Sequence, residues 1–375
     1  MRLFILVAIG VSFILPTAAQ ERAAASIDQI LYAASRAVGP EKELRAIRSI
    51  YAVAACVGPK GKYTTSISSF RDGRTRFEQT FEYRKPTGVF INGDNAWETN
   101  HENGEFLVSS SFQRMVARMH EYQKMAIDPR AFFKDLEIVG DEEFNGRPSI
   151  KVAAKNELDM PAFLYFERFS GRLSGYKLMV PGSTETILNI FTAWKRVGKV
   201  MLPSVVTAID SAGRWTLSFH TIKLNSANAK PLEIPARVRD MIEILRMHEE
   251  QKTAHLTYNA ELLIGDSPIR PITIQRGNVV QRTREEDLDR FKSYFGSFKF
   301  LEWEDIRPPI IRVSKDGSMA TKIVQKRVRG TSKDKDGKDI SEHVVYAWLE
   351  VLEKVDGKWR LVTIASTETE KDGGK

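Results

Sequence analysis

Between residues 71 and 105 the chain places three tight-turn dipeptides between extended runs. They are Asp72-Gly73 in RDGR, Asn92-Gly93 in INGDN and Asn103-Gly104 in ENGE. Asn-Gly and Asp-Gly flanked by alternating residues are the strongest short-range hairpin signal. In the run 76–84, Phe77, Phe81 and Tyr83 point one way, while Arg76, Glu78, Thr80, Glu82 and Arg84 point the other. Such alternation describes an antiparallel sheet with one wet face and one apolar face. The apolar face needs a cover, and residues 111–136 supply one. Phe112, Met115, Val116, Met119 and Tyr122 recur at helical spacing, and Met125, Phe132 and Phe133 extend the apolar surface. Packed permanently, this segment is core. Able to move, it is a plug whose flexible methionines repack around varied apolar guests. On that second reading the ligand-binding candidates are Phe77, Phe81, Met115, Met119 and Phe132.

The rest of the chain organises around this sheet. Ser26 and Gln29 have capping-box spacing, Ile27, Ile30, Leu31, Ala34 and Val38 follow at helical intervals, and Gly39-Pro40 ends the helix. A short second helix with Leu44 and Ile47 inward leads to a strand near 51–57. Further extended segments are expected at 149–154, 162–169, 173–180, 186–194, 204–209 and 215–224. The polar, proline-bearing stretch 225–235 reads as a linker. Beyond it, a helix over 236–259 carries Val238, Met241, Ile242, Leu245 and Leu256. A short strand at 272–275 turns at Gly277-Asn278. Thr283 caps a helix with Glu286 three residues on, and Leu288, Phe291 and Phe295 face inward. Strands at 298–306, 310–313, 319–329, 343–352 and 359–366 complete an α+β part with a helix-lined, conical antiparallel sheet.

The chain's 375 residues suit two domains, predicted at 26–235 and 236–370. Residues 1–19 read as a signal peptide: Arg2, an apolar run from Leu3 to Leu15, a breaker at Pro16, and small residues at Thr17 and Ala19. The expected location is therefore periplasmic or secreted. The apolar run is short for a bilayer, so no integral membrane span is expected. Lys and Arg number 56 against 48 Asp and Glu, a net +8 spread along the chain. Nucleic-acid binding wants a dense basic face, so nucleic acid is not an expected partner. The lone Cys56 forbids an intramolecular disulfide and a four-cysteine metal site.

The first half resembles a known family. The order AVGPEKELRAIRSI, INGDNAWE, a covering helix, EFNGRPSIKV, FLYFERFSGRLSGYKLM, FTAWKRVGKVMLPSVV and LEIP looks like the bacterial outer-membrane lipoprotein carrier (LolA/LolB-like) superfamily. That resemblance implies an open antiparallel half-barrel capped by helices, which holds lipid or another apolar small molecule. It also implies an arginine near the cover, and Arg71, Arg74 and Arg76 fall in that region. The second half resembles the SnoaL-like branch of the nuclear transport factor 2-like superfamily. ITIQRGNVVQRTREEDLDRF, SKDGSMATKIVQKRV and AWLEVLEKVDGKWRLVTIAST carry the likeness, with Asp356-Gly357 as turn and Trp359 closing the core. This implies a deep pocket in a fold that serves either enzymes or binding modules, including homodimers formed through this part.

No catalytic motif emerges. HEEQKTAH (248–255) lacks the i, i+4 histidine pair of zincins, because position 252 is Lys, so no metal is expected. A SnoaL-like enzyme would need a general base in its pocket. The polar candidates are His255, Asp266, His343 and Tyr346, with Trp348 beside them. On strand 343–352, His343 shares a face with Val345 and Leu349, and Tyr346 shares the other with Trp348; either face could line the pocket. No catalytic residue and no cofactor is assigned. The expectation is an exported two-domain protein that binds a lipid or other apolar ligand in its first part. The second part is expected to be a binding or dimerisation module. The alternative is a SnoaL-like isomerase, dehydratase or cyclase acting on a small apolar substrate.

Overall fold

The computed structural model describes residues 26–369 apart from 60, 84, 100–104, 181–183, 230–231 and 334–335. The expected signal peptide and the Asn103-Gly104 turn therefore lie outside the described residues. Two helices come first among the described residues, α1 (Ile27–Val38) and α2 (Glu41–Arg45). Six strands follow: β1 (Ser49–Gly58), β2 (Gly61–Phe70), β3 (Thr75–Phe81), β4 (Thr87–Asn92), β5 (Asn95–Thr99) and β6 (Phe106–Val108). Helices α3 (Ser111–Arg118) and α4 (Tyr122–Ile127) and a 3-10 turn (Pro129–Ala131) come next. Then run β7 (Lys134–Phe144), β8 (Arg147–Lys155), β9 (Pro161–Glu167), β10 (Leu173–Met179), β11 (Thr186–Val197), β12 (Val200–Asp210) and β13 (Gly213–Leu224).

These strands form one 13-stranded sheet in the order β6-β5-β4-β3-β2-β1-β13-β12-β11-β10-β9-β8-β7. Every pairing in it is antiparallel. Its two edges, β6 and β7, are neighbours in sequence, and the α3–α4 segment is the strap that joins them. The turn residues behave as their types dictate: Gly73 (φ 89°) and Gly93 (φ 62°) close β2–β3 and β4–β5 in a region barred to most side chains. Strand β7 was not expected. Its residues KDLEIVGDEEF are exposed on both faces for most of their length, as an edge strand tolerates, so no alternation marks them. The cover consequently ends at Phe133 rather than at residue 136.

The second part comprises α5 (Ala236–Leu256), α6 (Ala260–Ile264), β14 (Ile272–Gln275), β15 (Asn278–Gln281) and α7 (Arg284–Ser297). Five strands follow: β16 (Phe298–Asp305), β17 (Ile310–Val313), β18 (Met319–Lys333), β19 (Asp339–Val355) and β20 (Lys358–Glu368). Seven strands make the second sheet, in the order β15-β14-β20-β19-β18-β16 with β17 also on β18. The pairing β14–β20 is parallel; the others are antiparallel. The chain is thus mostly antiparallel sheet with few helices. Capping boxes form at Ser26/Gln29 and Thr283/Glu286 as the spacing predicts, and a third forms at Ser110/Gln113. Trp359 is buried with Met241, Ile244, Ile311 and Leu352, and its Nε1 donates to Asp240 at 3.2 Å.

Within the stretch 225–235, Asn225 and Leu232 both make contacts with the first sheet and its lead-in. The Asn225 side-chain Oδ1 accepts from the Arg48 backbone N–H at 2.7 Å, and its Nδ2 donates to the Ala46 carbonyl at 3.0 Å. Leu232 and Val238 bury Trp97 of the first sheet, and Val108 packs against the cluster around Met241 and Ile244. Two separately folding pieces are the natural sequence expectation for such a linker; here an apolar seam joins them.

Candidate functional site

The inner face of the large sheet and its strap make one continuous apolar cluster. Phe77, Met115, Met119 and Phe132 all belong to it, with Ile67, Tyr122, Met125, Leu164, Tyr176 and Phe219. Phe81 is half-buried at its margin, its ring 5.1 Å from that of Tyr63, which packs on the cluster. The structure therefore gathers four of the five candidates and sets the fifth beside them. Met115 has no exposed surface and Met119 retains 6 %.

Polar ties fasten the strap to the sheet below. Tyr176 donates to the Met119 carbonyl at 2.7 Å, Gln123 to the Pro203 carbonyl at 3.0 Å, and Lys124 to the Phe70 carbonyl at 2.8 Å. The Tyr122 hydroxyl donates to Asn189 at 3.1 Å. Burial lifts the Tyr122 and Tyr176 hydroxyls far above the usual phenol range, so both remain neutral donors. Between α3 and α4, Glu121 is completely buried and accepts from Thr75 at 2.7 Å. Sequence reading missed Glu121 and Tyr176. A glutamate beside an apolar stripe ordinarily signals solvent, and nothing local marks a buried tyrosine as a latch.

Where the strap leaves the sheet, a cleft of about 310 Å³ opens against α1 and α2. Leu31, Leu44 and Ile127 supply apolar walls, and Arg45, Arg71 and Arg130 supply charge. Of the three arginines near the cover, Arg74 pairs with Asp72 and Arg76 with Glu78. Arg71 instead donates to the Arg45 carbonyl at 2.6 Å and lines this cleft.

In the second part the sequence candidates separate. The inner face of β18–β19 carries Lys322, Val324, Lys326, Val344, Glu350 and Leu352, all buried, so Tyr346 and Trp348 face inward. His343 lies on the opposite, exposed face, in an open cleft of about 570 Å³ lined by Leu301, Glu302, Arg327 and Arg329. His255 is buried and stacked on Trp303 at 3.8 Å, with Nδ1 bonded to the Gln251 carbonyl at 2.7 Å. Burial, seconded by the Lys326 charge, pushes its imidazole down to about 4. Asp266 sits outside on an ion pair with Arg360 at 3.0 Å.

Between two apolar clusters runs a belt of buried charge that the sequence did not announce. Lys322 pairs with Glu350 at 2.8 Å and donates to Gln251 at 3.2 Å; Trp348 Nε1 donates to Glu350 at 2.8 Å. Lys326 pairs with Asp305 at 2.8 Å, and His248 Nε2 meets the other Asp305 oxygen at 2.9 Å. Burial pushes Lys326 down. On Asp305 burial acts upward, but the His248 and Lys326 contacts outweigh it and hold the carboxyl below its usual range. His248 Nδ1 and Trp303 Nε1, both sealed from solvent, have no hydrogen-bond partner among the described residues. Ligand atoms of His248, Glu249 and Asp305 lie within 4.8 Å of one another. One Asp305 oxygen already holds the Lys326 ammonium, so the trio reads as an ion network.

No family model matches this sequence, and no curated protein matches it. Solved structures do resemble the fold. A LolA superfamily protein from Nitrosomonas europaea shares 13 % identity, covering 54 % of this chain and 95 % of its own, with a TM-score of 0.41. A DUF1329 family protein from Desulfovibrio piger shares 9 %, covering 54 % and 94 %, at 0.39. A nuclear transport factor 2-like superfamily protein from Salmonella enterica shares 16 %, covering 37 % and 97 %, at 0.30. The chain is thus similar to solved structures from the two superfamilies that its sequence resembles.

Proposed function

We propose that this protein binds a lipid or similar apolar ligand on the inner face of the 13-stranded sheet, beneath the 110–133 strap. The first domain, 26–235, is on this reading an open half-barrel capped by helices. Residues 236–370 form a cone-shaped binding or dimerisation module. Removal of residues 1–19 would deliver the mature chain to the periplasm or outside the cell. One observation carries the reading: the strap offers Met115, Met119 and Met125 to a single apolar cluster that spans the sheet. Flexible thioether side chains yield to guests of varied shape. The cleft beside Ile127 and Arg71 is the entrance this reading assigns. The test is mass spectrometry of chloroform extracts from protein purified out of its native envelope, together with titration by a fluorescent fatty acid. Lipid at stoichiometric yield and saturable probe binding are expected; neither appearing would overturn the proposal.

The outer face of the second sheet supports the dimerisation role. Ile310, Ile323, Leu349, Ala365 and Ile274 sit in register across five strands, each of the four larger ones more than a third exposed. Light scattering across a concentration series checks it: a fixed monomeric mass refutes the dimer. The belt around Asp305 favours a second reading, in which the cone does acid–base chemistry on a small apolar substrate. Asp305→Asn should then abolish turnover in a screen of enolisable ketones; activity retained by that variant would remove Asp305 from the role.

A further inference from the structure

Glu121 is a fully buried carboxylate of the strap that the ligand-binding reading does not use. Its residue is 0 % exposed, in the junction between α3 and α4. One carboxylate oxygen accepts from the Thr75 hydroxyl at 2.7 Å. The other accepts no hydrogen bond of good geometry among the described residues. It faces the Lys124 ammonium at 3.5 Å, and Arg118 Nε stands 3.9 Å from the first oxygen. Arg118 is already engaged, at 2.9 Å with Glu157 and at 3.0 Å with the Ala131 carbonyl. Lys124 is likewise committed to the Phe70 carbonyl. Ser69 on β2 adds a weak contact, and neighbouring His120 turns its Nδ1 to the Val116 carbonyl at 2.8 Å. The carboxylate is therefore enclosed by cations whose hydrogen bonds go largely elsewhere.

An ionised carboxylate without full hydrogen bonding is expensive to hold out of water. Docking of the strap buries it; undocking returns it to solvent. We propose that Glu121 is a proton-operated latch: protonation favours the docked strap, and ionisation favours its release from the sheet. The proposal deepens the ligand-binding reading and rests on it only where the strap gates a ligand.

The sign follows from burial. Burial pushes the docked carboxyl up, Lys124, Thr75 and Arg118 only partly opposing it. A group with its pKa raised in the docked state stabilises docking below its ordinary pKa and ceases to do so as pH rises through the docked one. Within that window, opening should increase by up to about tenfold per pH unit, the slope of one linked proton.

The experiment uses the full chain without added ligand. Hydrogen-exchange protection of amides 111–133, corrected for intrinsic exchange, is followed from pH 4.5 to 8 in the wild type and in Glu121→Gln. Gln keeps an acceptor for Thr75 and removes the charge. The wild-type strap should lose protection as pH rises while β8–β12 stay protected, and E121Q should be flat. A pH-independent wild type, or an equal slope in E121Q, overturns the latch. Should E121Q fail to fold, carboxyl carbon-13 shifts in the unmodified chain decide instead. A Glu121 midpoint at or below the ordinary carboxylate value overturns the proposal. Fatty-acid probe titrations at the same pH values separate the two ideas. Strap opening with pH but no probe binding leaves the latch standing and the ligand reading refuted.

Discussion

Replacing Lys322 by Met tests the buried belt most sharply. Lys322 and Glu350 are each 2 % exposed or less by side chain, 2.8 Å apart and directly opposite in the β18–β19 register. Met fills the volume of the lysine stem and removes the charge. Glu350 would keep its Trp348 hydrogen bond and lose the Lys322 ammonium that neutralises it. Breaking a buried pair on one side costs about 3–5 kcal/mol, because the remaining ion stays desolvated. With a urea slope of about 2 kcal/mol per molar, the midpoint for the second sheet should fall by about 2 M. The double variant K322M/E350L removes both ions. Its cost should be within about 2 kcal/mol of zero, the residue being an unpartnered Trp348 N–H. The assay is urea unfolding of the full chain, read from exchange protection of β18 and β19 amides. If K322M loses less than about 1 kcal/mol, water reaches Glu350 and the belt is not the desolvated network described above.

Four further outcomes follow from particular contacts. Met115→Asp with Met119→Asp should expose residues 111–133 to exchange and weaken fatty-acid binding, because two carboxylates cannot be desolvated cheaply against Phe77; exposure spread through β1–β5 would make the segment ordinary core. Trp359→Ala should cost about 3–5 kcal/mol in the second sheet, the usual loss for a large buried aromatic, and an unchanged melting temperature would refute its burial. Trp97→Ala, which empties the seam against Leu232 and Val238, should split one calorimetric transition into two; a single unshifted peak would show the seam idle. His255, neutral in the fold down to about 4, should contribute about 3 kcal/mol above pH 6.5 that is lost as pH falls toward 4. His255→Leu should flatten that slope in parallel urea titrations, and an identical slope would refute the assignment.

What the sequence revealed and what it hid divide along physical lines. Turns at Gly73 and Gly93 and the caps at Ser26 and Thr283 depend on neighbours a few residues away, and all were legible; the core role of Trp359, whose partners Asp240 and Met241 are remote, was legible only through the resemblance that VDGKWR carries. Strand β7 was not, since an edge strand with Asp and Glu on both faces carries no alternation. Buried charges were hidden for a different reason. Lys322 and Lys326 alternate with Val324 and Val328 on one face of β18, a period-2 clue in plain sight. Their meaning depends on Glu350 and Asp305, which the register brings opposite from other strands. Glu121 is hidden likewise, its Thr75 partner lying 46 residues away. The face that His343 occupies was undecidable until that register placed Val344 and Glu350 inside.

The order of the large sheet also sets how it must assemble. Strands β1–β6 form one meander and β7–β13 another, each built from hairpins between sequence neighbours. Only the junction of β1 with β13 is remote, pairing Val53 with Thr221 across a bulge. Each meander can therefore nucleate on its own, fast and locally. The central seam must then close a loop spanning nearly the whole first half of the chain, against the entropy of that loop. Until it closes, both β1 and β13 offer a bare edge in the middle of the future sheet. The Asn225 side chain, bonded to the amides of Arg48 and Ser49 beside that seam, is a clasp placed to hold it shut.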